Sequence, residues 1–199
     1  MINLISPERL TMPDFLTQFD QHWFHLINHD WSNPFFDWMM PAIRNPKTWI
    51  PLYLFILIFS IYRYGKMAVL IIVLLLASVG TADVVCVRVI KAYVKRVRPC
   101  NDWQFEPTVV NRVPCGTGLS FPSAHASDHF AIALFLCLAF QRNWKWIWPF
   151  ALIWAALICY AQVYVGVHYP VDVLTGAAFG AMVGGLFGLI YNRLYLKYS

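Results

Sequence analysis

Hydrophobic and polar positions alternate along this chain in long blocks rather than at short period. Five apolar runs stand out: Thr48 to Tyr62, Met67 to Ile90, Ser123 to Phe140, Trp144 to Val165 and Val171 to Tyr191. A helix needs ~20 apolar residues to cross the hydrocarbon of a bilayer. The first run is short for that and relies on the boundary aromatics Trp49 and Tyr53, or on tilt of its neighbours. Arg63–Lys66 and Arg142–Lys145 make short basic turns between runs, and Lys91–Pro122 makes a long polar one. The expected fold class is an all-α integral membrane protein, a bundle of five or six transmembrane helices.

The first 47 residues read differently. Asp14, Gln18 and Asp20 interrupt the stretch Pro13 to His29, while apolar positions 16, 19, 23, 26 and 27 share one helical face. That pattern predicts an amphipathic helix lying at the membrane interface. His22, His25 and His29 follow helical spacing, as a wet interfacial face or a metal site would. Phe35 to Ile43, bounded by Asn33–Pro34 and Asn45–Pro46, is too short to cross. The chain thus divides into an interfacial segment, 1–47, and a transmembrane domain, 48–199, with an outer loop at 96–122. Residues 1–30 lack the clean apolar core of a cleavable signal peptide.

Composition sharpens this picture. The 199 residues are 59% hydrophobic and only 13% charged, against about a quarter in soluble domains. The formal net charge of +5 sits mainly at the ends of apolar runs and around Lys91–Arg98, so it reads as topology plus an anionic substrate, not as a nucleic-acid surface. With alternating spans, Arg63, Lys66, Arg142, Lys145, Arg193 and Lys197 share one side, which the positive-inside rule makes cytoplasmic. The carboxyl terminus is then inside, and every block with chemical potential faces outward from a cytoplasmic (inner) membrane. In the last run, Gly176, Gly180, Gly184 and Gly188 recur every fourth residue, a small-residue ridge for close helix packing. Cys100 and Cys115 bracket the polar loop. In an oxidising compartment they are expected to form a disulfide. A zinc pair is the rival, but the C-x-x-C clusters of zinc sites are missing.

Three blocks carry candidate chemistry. In Lys91-Ala-Tyr-Val-Lys-Arg-Val-Arg98-Pro99, Lys91 and Arg98 are seven apart, so on a continuous helix they share a face and can clamp a phosphate. Lys95 and Arg96 between them suit a lipid-headgroup anchor. In Phe121-Pro122-Ser123-Ala124-His125, Ser123 is a helix-cap signal, and the helix start offers free N–H groups to an anion. His129, one turn on from His125, completes an H-x-x-x-H pair without the glutamate of zinc proteases. In the stretch from Tyr160 to Asp172, Pro170 can open a helix and bring Asp172 back onto the His168 ring. A carboxylate on one ring nitrogen makes the other a better nucleophile. Asp83, within the second run, is expected to pair with a cation or polar neighbour.

Taken in order, K-x6-R-P, P-S-x-H and H-x3-D resemble the type-2 phosphatidic acid phosphatase superfamily over roughly residues 48 to 191. The resemblance implies a lipid phosphate phosphatase. His168 would attack phosphorus and form a phosphohistidine, Asp172 would orient it, and His125 would protonate the leaving oxygen and later activate water. Lys91, Arg98, Ser123, Ala124, Gln162 and helix-start N–H groups would hold the phosphate, with no metal and no cofactor. Among substrates, undecaprenyl pyrophosphate comes first, then phosphatidylglycerol phosphate, phosphatidate and lipid A phosphates. Two positions depart from the family pattern: Ala124 replaces the usual Gly of P-S-G-H, and Ala161-Gln162 replaces the usual Ser-Arg of the third motif. Gln162 can donate a hydrogen bond but brings no charge. A phosphotransferase of the same fold, or an impaired lipid-binding relative, is the alternative.

Overall fold

The computed structural model describes residues 12–102 and 108–198, and among them the protein is helical with no strand. Helix α1 (Asp14–His25) runs into a π-helical turn, Leu26–Asp30. Helix α2 (Pro34–Ile43) starts at Asn33, whose side chain accepts from the Phe36 N–H, with Pro34 at the first position. A 3-10 turn, Pro46–Trp49, leads into α3 (Ile50–Tyr64). Helix α4 (Met67–Val84), a π segment (Val85–Ile90) and α5 (Lys91–Val94) form one continuous rod. Helices α6 (Ala124–Phe140), α7 (Ile147–Tyr164) and α8 (Pro170–Tyr198) complete the bundle.

Among the described residues, three helices are long and apolar enough to cross a membrane: Met67–Val94, Ile147–Tyr164 and Pro170–Lys197. Helix α6, with 17 residues, and α3, with 15, are shorter than a straight crossing requires. The large apolar residues of α3 and α4 face outward, Leu54, Phe55, Ile58, Val69, Val73 and Leu76 among them, as lipid-facing surfaces do.

Helices α6 and α8 make the closest contact of the fold. A Cβ added at Gly176 would lie 2.4 Å from the Ser123 carbonyl oxygen, and one at Gly180 would lie 1.9 Å from that of Ser127. No side chain fits there, so the glycine ridge lets the two backbones touch, and dispersion replaces the hydrophobic drive that lipid withholds. The contact also fixes the axial register of the two helices. Where both begin, the Ser123 N–H donates to the Asp172 carbonyl at 2.9 Å.

The amino-terminal segment is docked on this end of the bundle. Helix α1 turns Phe15, Phe19 and Trp23 outward and buries Asp20 and Phe24. Its inward face is therefore set by an acid as well as by apolar residues. Asn28 is fully buried, donating to the Tyr164 and Val110 carbonyls (2.8 and 3.0 Å) and accepting from the Val110 N–H. Arg112 lies 4.1 Å over the Tyr164 ring and bonds Asp37, the Asn28 carbonyl and the Tyr164 carbonyl. Cys100 and Cys115 are disulfide-bonded, with Cα atoms 5.9 Å apart, closing the base of the outer loop.

Candidate active site

The residues from the second and third motifs meet where α6 and α8 begin. Ser123 caps α6, its hydroxyl accepting from the Ala126 N–H at 3.4 Å. Asp172 sits in the first turn of α8 and accepts from the Tyr169 N–H at 2.9 Å, closing that helix start on itself. From the same position its carboxylate lies 3.5 Å from His168 Nδ1. Ser120 bridges the two, 3.4 Å from Nδ1 and donating a short bond to the Asp172 carboxylate. His168 is 1% exposed, and its Nδ1 is committed to this pair, which leaves Nε2 as the reactive lone pair. Burial pushes the His168 ring down to about 4; Asp172 works against that shift, while Arg98 and Lys91 add to it. The ring is therefore neutral and nucleophilic at neutral pH.

The first motif does not lie on one helix. Expectation placed Lys91 and Arg98 two turns apart on a shared face; instead α5 stops at Val94, Lys95 turns left-handed with φ 53°, and Arg98 is extended. Pro99 disfavours a helical conformation at the residue before it. Both cations still reach the same strip of the outer loop: Lys91 Nζ donates to the Leu119 carbonyl at 3.0 Å and Arg98 Nε to the Gly118 carbonyl at 2.9 Å. Convergence comes from the loop, not from helical periodicity.

Arg96, read from sequence as suiting a lipid-headgroup anchor, turns inward instead. It donates to Asp172 at 2.8 Å and to Asp20 at 2.6 Å, and its guanidinium stacks 4.0 Å over the Tyr169 ring. Burial works to strip its proton, but Asp172 and Asp20 outweigh burial and hold Arg96 above its ordinary value. Asp20 also accepts from the Val171 N–H at 2.7 Å, one of the free donors of the α8 start. Asp20, Arg96 and Ser120 are thus members of the site that motif spacing did not reveal. The only sequence signal for Asp20 was an acid interrupting an amphipathic face.

His125 and Ala124 open onto a groove of about 690 Å³ between α3, α4 and α6. Five residues of α6, between Ala124 and Ile132, and six of α4, between Ile71 and Asp83, line it, so it runs ~12 to 18 Å along the bundle. Its walls are mostly aliphatic. Asp83 lines it too; it makes no hydrogen bond or ion pair among the described residues, but its charge acts on the Lys91 ammonium and on Asp128, another residue of the lining. His129 is a packing residue: it meets the His125 carbonyl at 2.7 Å, the Tyr53 hydroxyl at 3.2 Å and the Trp154 ring at 5.1 Å. Gln162 is fully buried, and neither of its amide atoms has a partner among the described residues. His25, His29 and Asp30 bring one ligand atom each within 4.8 Å of one another on the exposed face of the amino-terminal segment, whereas His22 packs on Trp23.

A neutral, buried imidazole backed by a carboxylate, with cations around it and an apolar groove beside it, defines a membrane-helix bundle equipped to handle oxyanions in lipids. The chain matches the PAP2 superfamily over residues 68–196 and belongs to it. It is 33% identical to the lipid A 4'-phosphatase of Bacteroides thetaiotaomicron, over 92% of this chain and 81% of that protein. It is also 33% identical to the undecaprenyl-diphosphatase of Sulfolobus acidocaldarius, over 69% of this chain and 61% of that one. The fold resembles the crystal structure of the PAP2 type phosphatidylglycerolphosphate phosphatase from Bacillus subtilis, with a TM-score of 0.69, 21% identity and coverage of 94% and 89% of the two chains.

Proposed function

We propose that this protein is an integral-membrane lipid phosphate phosphatase that works through a phosphohistidine on His168. One observation carries the reading: His168 is held neutral, with one ring nitrogen occupied by Asp172 and Ser120. In the first step Nε2 forms a bond to phosphorus as the lipid oxygen departs, and His125 supplies the proton to that oxygen. In the second, His125 takes a proton from water, the water oxygen bonds to phosphorus as the P–N bond breaks and returns its electron pair to Nε2, and phosphate leaves. Lys91, Arg98, Ser123 and the α6 N–H groups, beginning at Ala124, hold the non-bridging oxygens as charge builds on them. These fixed cations take the role a metal would otherwise play.

The groove beside His125 suits a lipid chain, with the head group at the outer rim. The similarity to the Bacteroides lipid A 4'-phosphatase covers 92% of this chain. It moves lipid A 4'-phosphate ahead of undecaprenyl pyrophosphate as the first substrate to test; the shorter similarity to an undecaprenyl-diphosphatase keeps the diphosphate second. We place the protein in the inner membrane with five crossings, the site outside and the carboxyl terminus inside.

The test is direct phosphate release by detergent-solubilised protein from a panel of lipid A, undecaprenyl diphosphate, phosphatidylglycerol phosphate and phosphatidate. Release from at least one, undiminished by EDTA, is expected. Transfer of the phosphoryl group to a second lipid without free phosphate would favour the transferase, and a strict Mg²⁺ requirement would contradict the scheme.

A further inference from the structure

The charges beside the site do not balance among themselves. Arg96 is matched by Asp20 and Asp172, and Arg112 by Asp37. Arg98 and Arg44 contact no carboxylate among the described residues, and they sit close enough to repel: burial, then the Arg98 charge, pulls Arg44 below its ordinary value. Burial pulls Arg98 down as well. Arg98 is in turn one of the cations acting on His168.

Arg44 follows the last residue of α2. Ile43, just before it, packs on a core that contains Ala161 and Val167, the neighbours of Gln162 and His168, and Cys100 from the base of the outer loop. Pro46, two residues on, lines the same groove as Ala124 and His125. The end of α2 therefore lies against the site. The Arg44 Nε is enclosed and donates to nothing, and the Gln162 amide is equally unpartnered. An enclosed cationic N–H without an acceptor is costly, and so are two guanidinium groups brought together without an anion. A phosphate oxygen relieves both at once, since a guanidinium binds oxyanions with two donors in a fork.

We propose that Arg44 is a substrate-binding residue whose guanidinium, with that of Arg98, grips a non-bridging phosphate oxygen of the lipid phosphate. The residue lies outside the stretch that matches the superfamily, residues 68–196. It supplies from the amino-terminal segment a charge that Gln162 cannot. The inference rests on the phosphatase reading for the identity of the ligand, but its test reads binding alone.

The experiment measures the dissociation constant of inorganic phosphate and of orthovanadate for the full-length protein in maltoside micelles, where no phospholipid competes. Arg44→Gln should weaken both by about 10- to 100-fold, the size of a charge-assisted contact. Arg44→Lys should keep most of the affinity, and Gln162→Arg added to Arg44→Gln should recover a large part of the loss. Arg44→Met, which keeps the apolar stem, replaces the glutamine variant if that one does not fold. Wild-type affinity in a folded Arg44→Gln or Arg44→Met protein overturns the proposal, as does weakening only of adhesion to phosphatidylglycerol vesicles, which would make Arg44 a headgroup anchor. If the wild type releases phosphate from no lipid while Arg44 variants still lose oxyanion affinity, the phosphatase reading falls and the anion site stands.

Discussion

The outer rim and the α6–α8 seam meet where these two helices begin, and they are held in opposite ways. At the rim, polar groups are buried and satisfied by direction: Asp20, Arg96, Asp172, Ser120 and His168 form one chain of hydrogen bonds and ion pairs. Down the seam, what matters is the absence of side chains, with Gly180 against the Ser127 carbonyl and Gly184 against that of Ala131. The two are coupled, because the seam sets the height at which Ser123 meets Asp172. Charge errors at the rim should therefore change chemistry and leave the bundle standing. Steric errors at the seam should loosen the bundle first and the chemistry as a consequence.

The largest effect expected is at the rim. His168→Ala should lower phosphate release by about 10⁴-fold or more, since it removes the nucleophile itself. Its circular dichroism and thermal midpoint should stay near wild type, and normal turnover would remove His168 from that role.

Next comes Asp20→Asn, which leaves Arg96 one carboxylate short and weakens the acceptor for Val171. We expect kcat to fall about 10- to 100-fold, the scale of a charge-assisted bond, with KM little changed because Asp20 does not reach the phosphate. Asp20→Glu should recover part of the loss. A rise in KM at constant kcat would instead make this cluster a substrate contact.

At the seam, Gly180→Ala places a methyl group where the Ser127 backbone already stands. Overpacking of this kind costs about 1–3 kcal/mol, and the variant should show a lower thermal midpoint in detergent. Unchanged stability would mean that the two helices are not in backbone contact.

The pH response is smaller and confined to the rim. Burial sets the free His168 ring at about 4 instead of 6.5. Its lone pair is lost only as pH falls toward 4, so the acid limb of kcat/KM assigned to this residue should lie near that value. The same burial destabilises the fold in acid. An unfolded chain takes up the proton at 6.5, so the ring's contribution is complete above 6.5 and is lost as pH falls toward 4. A pH–rate profile of wild type against Ser120→Ala, together with histidine titration by NMR, checks both statements. The smallest change expected is that of Gln162→Arg in the wild-type background, where activity should be retained or raised within several-fold.

Much of this was legible in the chain before any coordinates. The runs of apolar residues, the glycine ridge and the order of the three motifs follow local rules: helical period, cap chemistry and the positive-inside bias. His168 with Asp172 was readable because the two are only four residues apart, with Pro170 opening between them the helix whose first turn holds Asp172. Rules of the same kind misplaced Arg98, since a seven-residue spacing has meaning only while the helix continues, and it ends at Val94.

What the tertiary structure alone decided is which charges meet. Arg96 is 76 residues from both Asp20 and Asp172, and no periodicity spans that distance. Local sequence specified the helices and the order of the motifs, because propensity and hydrophobic pattern act over a few residues. Packing chose the partners, because a buried charge takes whichever counter-charge the fold carries within reach, however far away it lies along the chain.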